Sequence, residues 1–360
     1  MTDVYINRIT TAVPPHDIHQ KFVGYAPSFL SDAREKKLFE RMVKRSEIEH
    51  RYSFIEPDIQ GERLDKQDFY RRGAFPNTKA RMEFYETHAF KLACHALDKM
   101  DFNSIKGDVT HLIVTTCTGF YAPGIDLQIV KHYGLKTSVE RTIIGFMGCY
   151  AAFNALKLAR HIVRSAPAAK VVILNLELCT LHLQDGDDLE KVLSFLIFAD
   201  GCAASLISAE PVGIKMDSFH SAVMPESSGE ITWHIGQDGF DMRLSGEVPR
   251  IVGAQIPHLL PAILKGSHPD DIAYWAIHPG GRSILDAIEE HAHLPAAKLI
   301  YSRDILRRFG NMSSATVMFV LKEIMEHGET AGTGCAMAFG PGVTVEAMMF
   351  EQKTHKNAEA

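Results

Sequence analysis

Three reactive side chains stand beside glycines and small residues, each where an apolar stretch begins or ends. Cys149 lies in GFMGCYAAFNALKLARHIV (145–163), His278 in IAYWAIHPGGRSILDAIEE (272–290) and Asn311 in FGNMSSATVMFVLKEIMEHG (309–328). A cysteine needs a base to act as a nucleophile, and an imidazole supplies one. An amide N–H can donate to a developing oxyanion. Each residue also has a plainer reading: a free cysteine is among the most buried residue types, and Asn311 or Ser313 is a ready helix cap.

The elements that must hold these residues follow from periodicity. A helix from about residue 150 puts Ala152, Leu156, Ala159 and Val163 on one face and Lys157, Arg160 and Arg164 on another. Cys149 then sits in the first turn, where free backbone N–H groups and the dipole favour a negative charge and predict a lowered thiol pKa. His278 ends an apolar strand above Pro279, Gly280 and Gly281, a turn whose backbone can approach a ligand closely. His291 and His293, in EEHAHLP, read as a solvated helix end rather than metal ligands.

Strand-like runs recur at 4–13, 110–118, 169–178, 202–208, 272–277 and 342–350, with helical stretches between several of them, which predicts an α/β fold. The chain also carries a faint internal repeat. Around Cys149 and again around Ser313, 164 residues later (313 − 149), it runs glycine turn, small residues, amphipathic helix, strand, glycine turn, strand. Two duplicated halves are expected, 1–210 and 211–360, with the seam near AEPVG (209–213). The repeat makes the Asn311 turn the counterpart of the Cys149 turn and favours the functional reading of both. Only QKTHKNAEA (352–360) reads as a loose tail.

The 360 residues, 46% hydrophobic and 23% charged, suit a protein with a large core. A net charge of −6 excludes a broad basic surface for nucleic acid, so an anionic ligand needs a local basic patch. The opening MTDVYINRITTAVPP does not read as a secretory signal, and no apolar run is long enough to insert stably in a membrane. Six scattered cysteines form neither a metal pattern nor a disulfide framework, which points to a reducing cytoplasm. No GxGxxG opens a helix after the early strands, against a dinucleotide-dependent enzyme.

GFMGCYAA, IHPGGRSILD, RFGNMSSA and AFGPGVTVE (338–346), with 129 residues between Cys149 and His278 (278 − 149) and 33 between His278 and Asn311 (311 − 278), together resemble the type III polyketide synthases, the chalcone-synthase-like family. The resemblance implies a thiolase-like five-layered αβαβα fold built from two duplicated halves, and a homodimer. It implies a Cys-His-Asn site that needs no metal or bound cofactor and uses coenzyme A thioesters directly. Cys149 would accept a starter acyl group with His278 holding it as a thiolate. His278 and Asn311 would donate to the thioester oxygen of malonyl-CoA as carbon dioxide leaves.

The resemblance also assigns the surroundings. Phe198 in LIFADG would stand where the coenzyme A tunnel meets the cavity, Ser313 and Phe339 would line the cavity, and Gly280 and Gly281 would let the pantetheine arm pass. Lys44, Arg45 and Arg51 lie where the family binds the phosphates, although interleaved glutamates leave a solvated helix face as an alternative. Cys117 and Cys179 replace threonines of the plant enzymes. Trp233 replaces a glycine, and Ala122 replaces a methionine that reaches toward the partner subunit. The tryptophan should close the space where a bulky aromatic product would cyclise, and the alanine could open a different channel.

This pattern is most similar to bacterial alkylpyrone and alkylresorcinol synthases, which implies a medium or long fatty acyl-CoA starter and malonyl-CoA extension. Two other readings stand beside it: a ketoacyl synthase III-like single condensation, and a noncatalytic acyl-CoA-binding homologue with a structural cysteine.

Overall fold

The structure is a computed structural model and describes residues 2–353; most of the expected tail lies outside the described residues, and Gln352 ends a strand. The first half supplies strands β1 (Tyr5–Ala12), β2 (His16–Asp17), β3 (Tyr52–Ser53), β4 (His111–Thr116), β5 (Glu140–Gly145), β6 (Val171–Leu178) and β7 (Asp200–Ser208). The second supplies β8 (Ile214–Ala222), β9 (Ile231–Gly236), β10 (Gly239–Leu244), β11 (Tyr274–Ile277), β12 (Gly332–Gly340) and β13 (Thr344–Gln352). One sheet runs β11-β12-β13-β8-β1-β7-β6-β4-β5, while β9 and β10 form a separate hairpin.

Strand direction makes the duplication visible. β7 is antiparallel to β1 and to β6, and β4 is parallel to β6. In the same order β13 is antiparallel to β8 and to β12, and β11 is parallel to β12. The two half-sheets join only where Tyr5 and Ile6 pair with Lys215 and Ile214.

Side-chain alternation sorts the core into layers. On β6, Leu174, Leu176 and Leu178 face an apolar cluster shared with the helix Thr78–Lys99, while Val171 and Ile173 face the helix Ala151–Ser165. On β12, Ala336 and Ala338 face that same middle cluster, and Cys335, Met337 and Phe339 face the helices Val248–Ile263 and Arg282–His291. The result is helix, sheet, helix, sheet, helix, the thiolase-like arrangement. The helices Ala151–Ser165 and Thr316–His327 share the middle layer. Truncating its buried Phe153 to alanine would cost about 3–5 kcal/mol.

The six strand-like runs are all strands, and the predicted helix begins at Ala151 after a 3-10 turn, Gly148–Tyr150. β5, β8 and the hairpin escape sequence reading. β5 is a short, exposed edge strand with no alternation, and most of β8 is only half-buried on both faces. Among the described residues no helix is long and apolar enough to cross a membrane.

Candidate active site

Cys149 is positioned by a strained turn. After β5 the chain passes through positive φ at Phe146 (55°) and Gly148 (70°) before the helix starts. A side chain at Gly148 would be strained at that φ and would collide with the ring of Pro341. Gly340 packs against the Tyr150 ring and the Cys149 backbone nitrogen. The late FGPG segment is therefore a brace for the cysteine turn.

Asn311 stands before the matching turn, Ser313–Ala315, in which Ser313 has φ 47°. Its Oδ1 accepts from the Ser313 backbone N–H at 2.8 Å and from the Thr316 hydroxyl at 3.4 Å. Its Nδ2 donates to the Gly280 carbonyl at 3.1 Å, which leaves a second amide N–H on the cavity side. Capping and donation are thus not alternatives: the carbonyl caps and the amino group remains a donor. The Asn311 backbone also bonds to Ile197 and Ala199, so it fixes Phe198 between them.

His278 continues β11, its N–H bonded to the Met337 carbonyl at 2.8 Å. It is buried, and neither ring nitrogen has a hydrogen-bond partner among the described residues. Burial pushes the imidazole down to about 3. Burial likewise pushes the Cys149 thiol up to about 12, opposed mainly by the Ser313 hydroxyl and reinforced by the negative charge of Glu177. The lowered thiol expected from the helix start is corrected: desolvation outweighs the dipole at this depth. Each group alone therefore prefers to be neutral.

Cys149, His278 and Asn311 open into one predominantly apolar cavity of about 830 Å³. Cys117, Cys179, Phe198, Trp233, Gly280, Gly281, Ser313, Phe339 and Arg45 line it too. No protein atom lies nearer than 3.6 Å to where a Cβ would sit on Gly280 or Gly281, so that wall is open backbone. Trp233 donates through Nε1 to the Cys117 carbonyl at 2.7 Å and closes the wall beside it.

Three expected residues stand elsewhere. Arg51 is an interior strut: its guanidinium donates to the carbonyls of Phe195 (2.7 Å) and Phe198 (2.8 Å) and to His19 Nδ1 (3.0 Å), out of reach of a solvent-borne phosphate. Lys44 is exposed and does not line the cavity, because its helix turns Met42 and Arg45 toward the opening instead. Ala122 is exposed on the loop before the helix Ile125–Tyr133 and lines no part of the cavity of this chain.

Sequence reading missed Arg250, Arg282 and Glu177. Arg250 and Arg282 line the cavity with Arg45. Arg282 pairs with Glu47 at 2.7 Å and Arg250 with Glu247 at 2.7 Å. Arg282 directly follows the glycine pair singled out above, which was the available signal. Glu177 is fully buried behind the cavity and accepts from the Ser314 hydroxyl (2.6 Å), the Cys117 N–H (2.9 Å) and the Thr118 hydroxyl (2.9 Å). Burial pushes its carboxyl up to about 7. An acid inside the apolar run VVILNLEL was its signal. Among the described residues no group of three or more His, Cys, Asp or Glu side chains is placed to hold a metal ion.

Comparison with known proteins gives a consistent result. The model of the N-terminal domain of chalcone and stilbene synthases matches residues 4–211, and that of their C-terminal domain matches residues 215–353. The alpha-pyrone synthesis polyketide synthase-like Pks18 of Mycobacterium tuberculosis (strain H37Rv) is 34% identical over 370 residues, covering 97% of this chain and 91% of that protein. Its counterpart in Mycobacterium bovis gives the same values. Among solved structures, PKS-I from the brown alga Ectocarpus siliculosus matches with a TM-score of 0.88 at 27% identity, over 98% of this chain and 99% of that one. The C-terminal type III polyketide synthase domain of Steely1, a type I/III hybrid from Dictyostelium, shares the fold with a TM-score of 0.88 at 24% identity, over 97% of this chain and 99% of that one.

Proposed function

Because the chain belongs to the chalcone and stilbene synthase family, the type III polyketide synthases, which are acyltransferase-type enzymes, we propose that Cys149, His278 and Asn311 are its catalytic residues. In this reading the chain extends a medium or long fatty acyl-CoA with malonyl-CoA and releases an alkyl α-pyrone. The observation that carries the assignment is the Asn311 amide, held by its own carbonyl cap so that an N–H faces the cavity shared with Cys149 and His278. The apolar cavity suits an alkyl chain, and the similar mycobacterial protein is named for alpha-pyrone synthesis.

The chemistry follows from the proton positions. The Cys149 thiol passes its proton to His278, and the thiolate attacks the acyl-CoA carbonyl and expels the coenzyme A thiol. Malonyl-CoA then loses carbon dioxide, leaving an enolate whose oxygen accepts from a His278 ring N–H and the Asn311 amide. The enolate carbon attacks the Cys149 thioester, the cysteine leaves, and repetition builds the chain that closes through an enol oxygen. No metal or bound cofactor is needed for these steps. Arg45, Arg250 and Arg282 would hold the coenzyme A phosphates at the rim, with the pantetheine arm passing Gly280 and Gly281.

The halves 1–210 and 211–360 act as one unit in this reading, since Cys149 comes from one and His278 and Asn311 from the other. A homodimer would pair the β5 edge, where Phe120, Leu127 and Ile143 are exposed apolar residues near Ala122. Six free cysteines suit a reducing cytoplasm.

Incubating the protein with malonyl-CoA and a series of acyl-CoA starters, with intact mass of the protein and products read together, tests the proposal. Acyl mass on Cys149 and alkylpyrones from the longer starters are expected. Turnover of short aromatic starters alone overturns the starter assignment, a single condensation overturns the iterative one, and no covalent acyl mass leaves only a binding protein.

A further inference from the structure

His182 is buried at the end of the 3-10 turn Cys179–His182 that follows β6, and it does not line the cavity. Its Nδ1 lies 3.0 Å from the Phe240 backbone nitrogen and its Nε2 lies 2.7 Å from the Thr118 carbonyl oxygen. A backbone N–H can only donate, so Nδ1 must accept and Nε2 must carry the proton. One neutral tautomer therefore ties the β9–β10 hairpin to the segment that ends β4. Burial, which pushes this imidazole down to about 3, agrees with that tautomer.

The same ring stacks on Phe240, with centroids 4.2 Å apart and planes 11° apart, and meets Trp233 edge-on at 5.3 Å. Trp233 in turn donates to the Cys117 carbonyl, the residue before Thr118. Two consecutive carbonyls, 117 and 118, thus receive the indole and the imidazole. Both arms of this staple end on cavity-lining residues: Trp233 on the hairpin, and Cys117 and Thr118 at the strand end. Arg81 fixes the neighbours of His182 by donating to the carbonyls of Leu181 and Leu183.

We propose that His182 is a positioning residue that sets the acyl-chain selectivity of the cavity, by holding the Trp233 indole against the Cys117 carbonyl from behind the wall. This rests on the reading of the cavity as an acyl site. Releasing Trp233 enlarges the cavity beside Cys117 without touching Cys149, His278 or Asn311.

The test has two arms with different dependences. The chain has two tryptophans, so Trp275→Phe leaves Trp233 as its sole indole. In that background, His182→Gln, which keeps a donor but shortens the reach to the Phe240 N–H, should raise acrylamide quenching of Trp233 severalfold. His182→Asn, which retains an acceptor toward Phe240, should restore part of the protection. This arm needs no turnover, so it stands even if the reaction assigned above is wrong.

In the second arm, the ratio of kcat/KM for long over short acyl-CoA starters is measured for His182→Gln, Trp233→Ala and the double variant. His182→Gln should shift the ratio severalfold toward longer chains while intact mass still finds acyl-Cys149. The double variant should match Trp233→Ala alone, since His182 acts through that indole. Unchanged quenching overturns the staple. An unchanged ratio, or shifts that simply add, overturns the selectivity role. If His182→Gln does not fold, His182→Asn, which keeps an acceptor toward the Phe240 N–H but loses the donor to the Thr118 carbonyl, must shift the ratio the same way by a smaller factor or the proposal fails.

Discussion

The Cys149 sulfur lies 3.8 Å from the Ser313 hydroxyl oxygen, although 164 residues separate them. These are the residues that the internal repeat of the sequence aligns, so the duplicated turns meet at one point. Burial opposes the thiolate there, and the Ser313 hydroxyl is the largest influence favouring it. Ser313→Ala should therefore slow iodoacetamide alkylation of Cys149 about tenfold at fixed pH, since a hydrogen bond to a charged group is worth about 1.5–3 kcal/mol. Raising the pH should recover the rate; an unchanged pH profile would count against the contact.

His278 is the proposed counter-ion. Removing it leaves a thiol that its surroundings, burial foremost, hold up at about 12. The thiolate forms on proton loss, so His278→Gln should move the alkylation profile of Cys149 to higher pH. At pH 7 the rate should fall by more than tenfold. A profile that stays where it is in the wild type would mean the imidazole is not paired with the sulfur.

Asn311 separates its two roles by substitution. Asn311→Asp keeps the oxygen that accepts from Ser313 and Thr316 but loses the amide donor and adds a negative charge. Decarboxylation of malonyl-CoA should fall about 10²–10³-fold, the usual cost of one oxyanion donor. Circular dichroism should change little, while melting should fall, because the new oxygen faces the Gly280 carbonyl to which the amide donated. Undiminished decarboxylation in the folded variant would mean the residue is a cap only.

Arg250 and Arg282 line the cavity, whereas Lys44 does not. Arg250→Ala with Arg282→Ala should raise KM for acyl-CoA while leaving kcat/KM for an acyl-N-acetylcysteamine, which lacks the phosphates, nearly unchanged. Lys44→Ala should alter neither. Arg51→Ala should lower the melting temperature instead, because it strips donors from buried carbonyls.

Glu177 gives the protein a pH signature. Its carboxyl rises from 4.5 to about 7 by burial, so the folded state holds a proton that the unfolded chain has released. Stability is lost as pH rises from about 4.5 to about 7 and is level above that, on the order of 3 kcal/mol from this group. Asp200, raised to about 7 by burial, adds in the same direction. Glu177→Gln should flatten the fall in denaturation midpoint between pH 5 and 7, and an equal slope in both proteins would remove the assignment.

Much of this was legible along the chain because it depends on local pattern. The helix after Cys149, the strand before His278 and the glycine turns follow from periodicity and small residues, and the repeat tied the Asn311 turn to the Cys149 turn. The rim was not legible in the same way. Lys44, Arg45 and Arg51 sit on or just past one helix, yet the structure faces Arg45 to the cavity, Lys44 to solvent and Arg51 to the interior. A charge count cannot distinguish these, since orientation is set by what the helix packs against.

The sequence by itself determined most of the elements, their duplication and the three side chains proposed as reactive, because short-range periodicity and residue chemistry are properties of neighbours along the chain. Only the tertiary structure decided their electrostatics and their walls. Closing two half-sheets over a middle helical layer desolvates Cys149 and His278 enough to overturn the helix-start expectation. The same closure brings Trp233, Cys117, Thr118 and His182 into one staple, from segments separated by more than a hundred residues between Cys117 and Trp233. Burial and long-range hydrogen bonds are sums over neighbours in space, which no local pattern encodes.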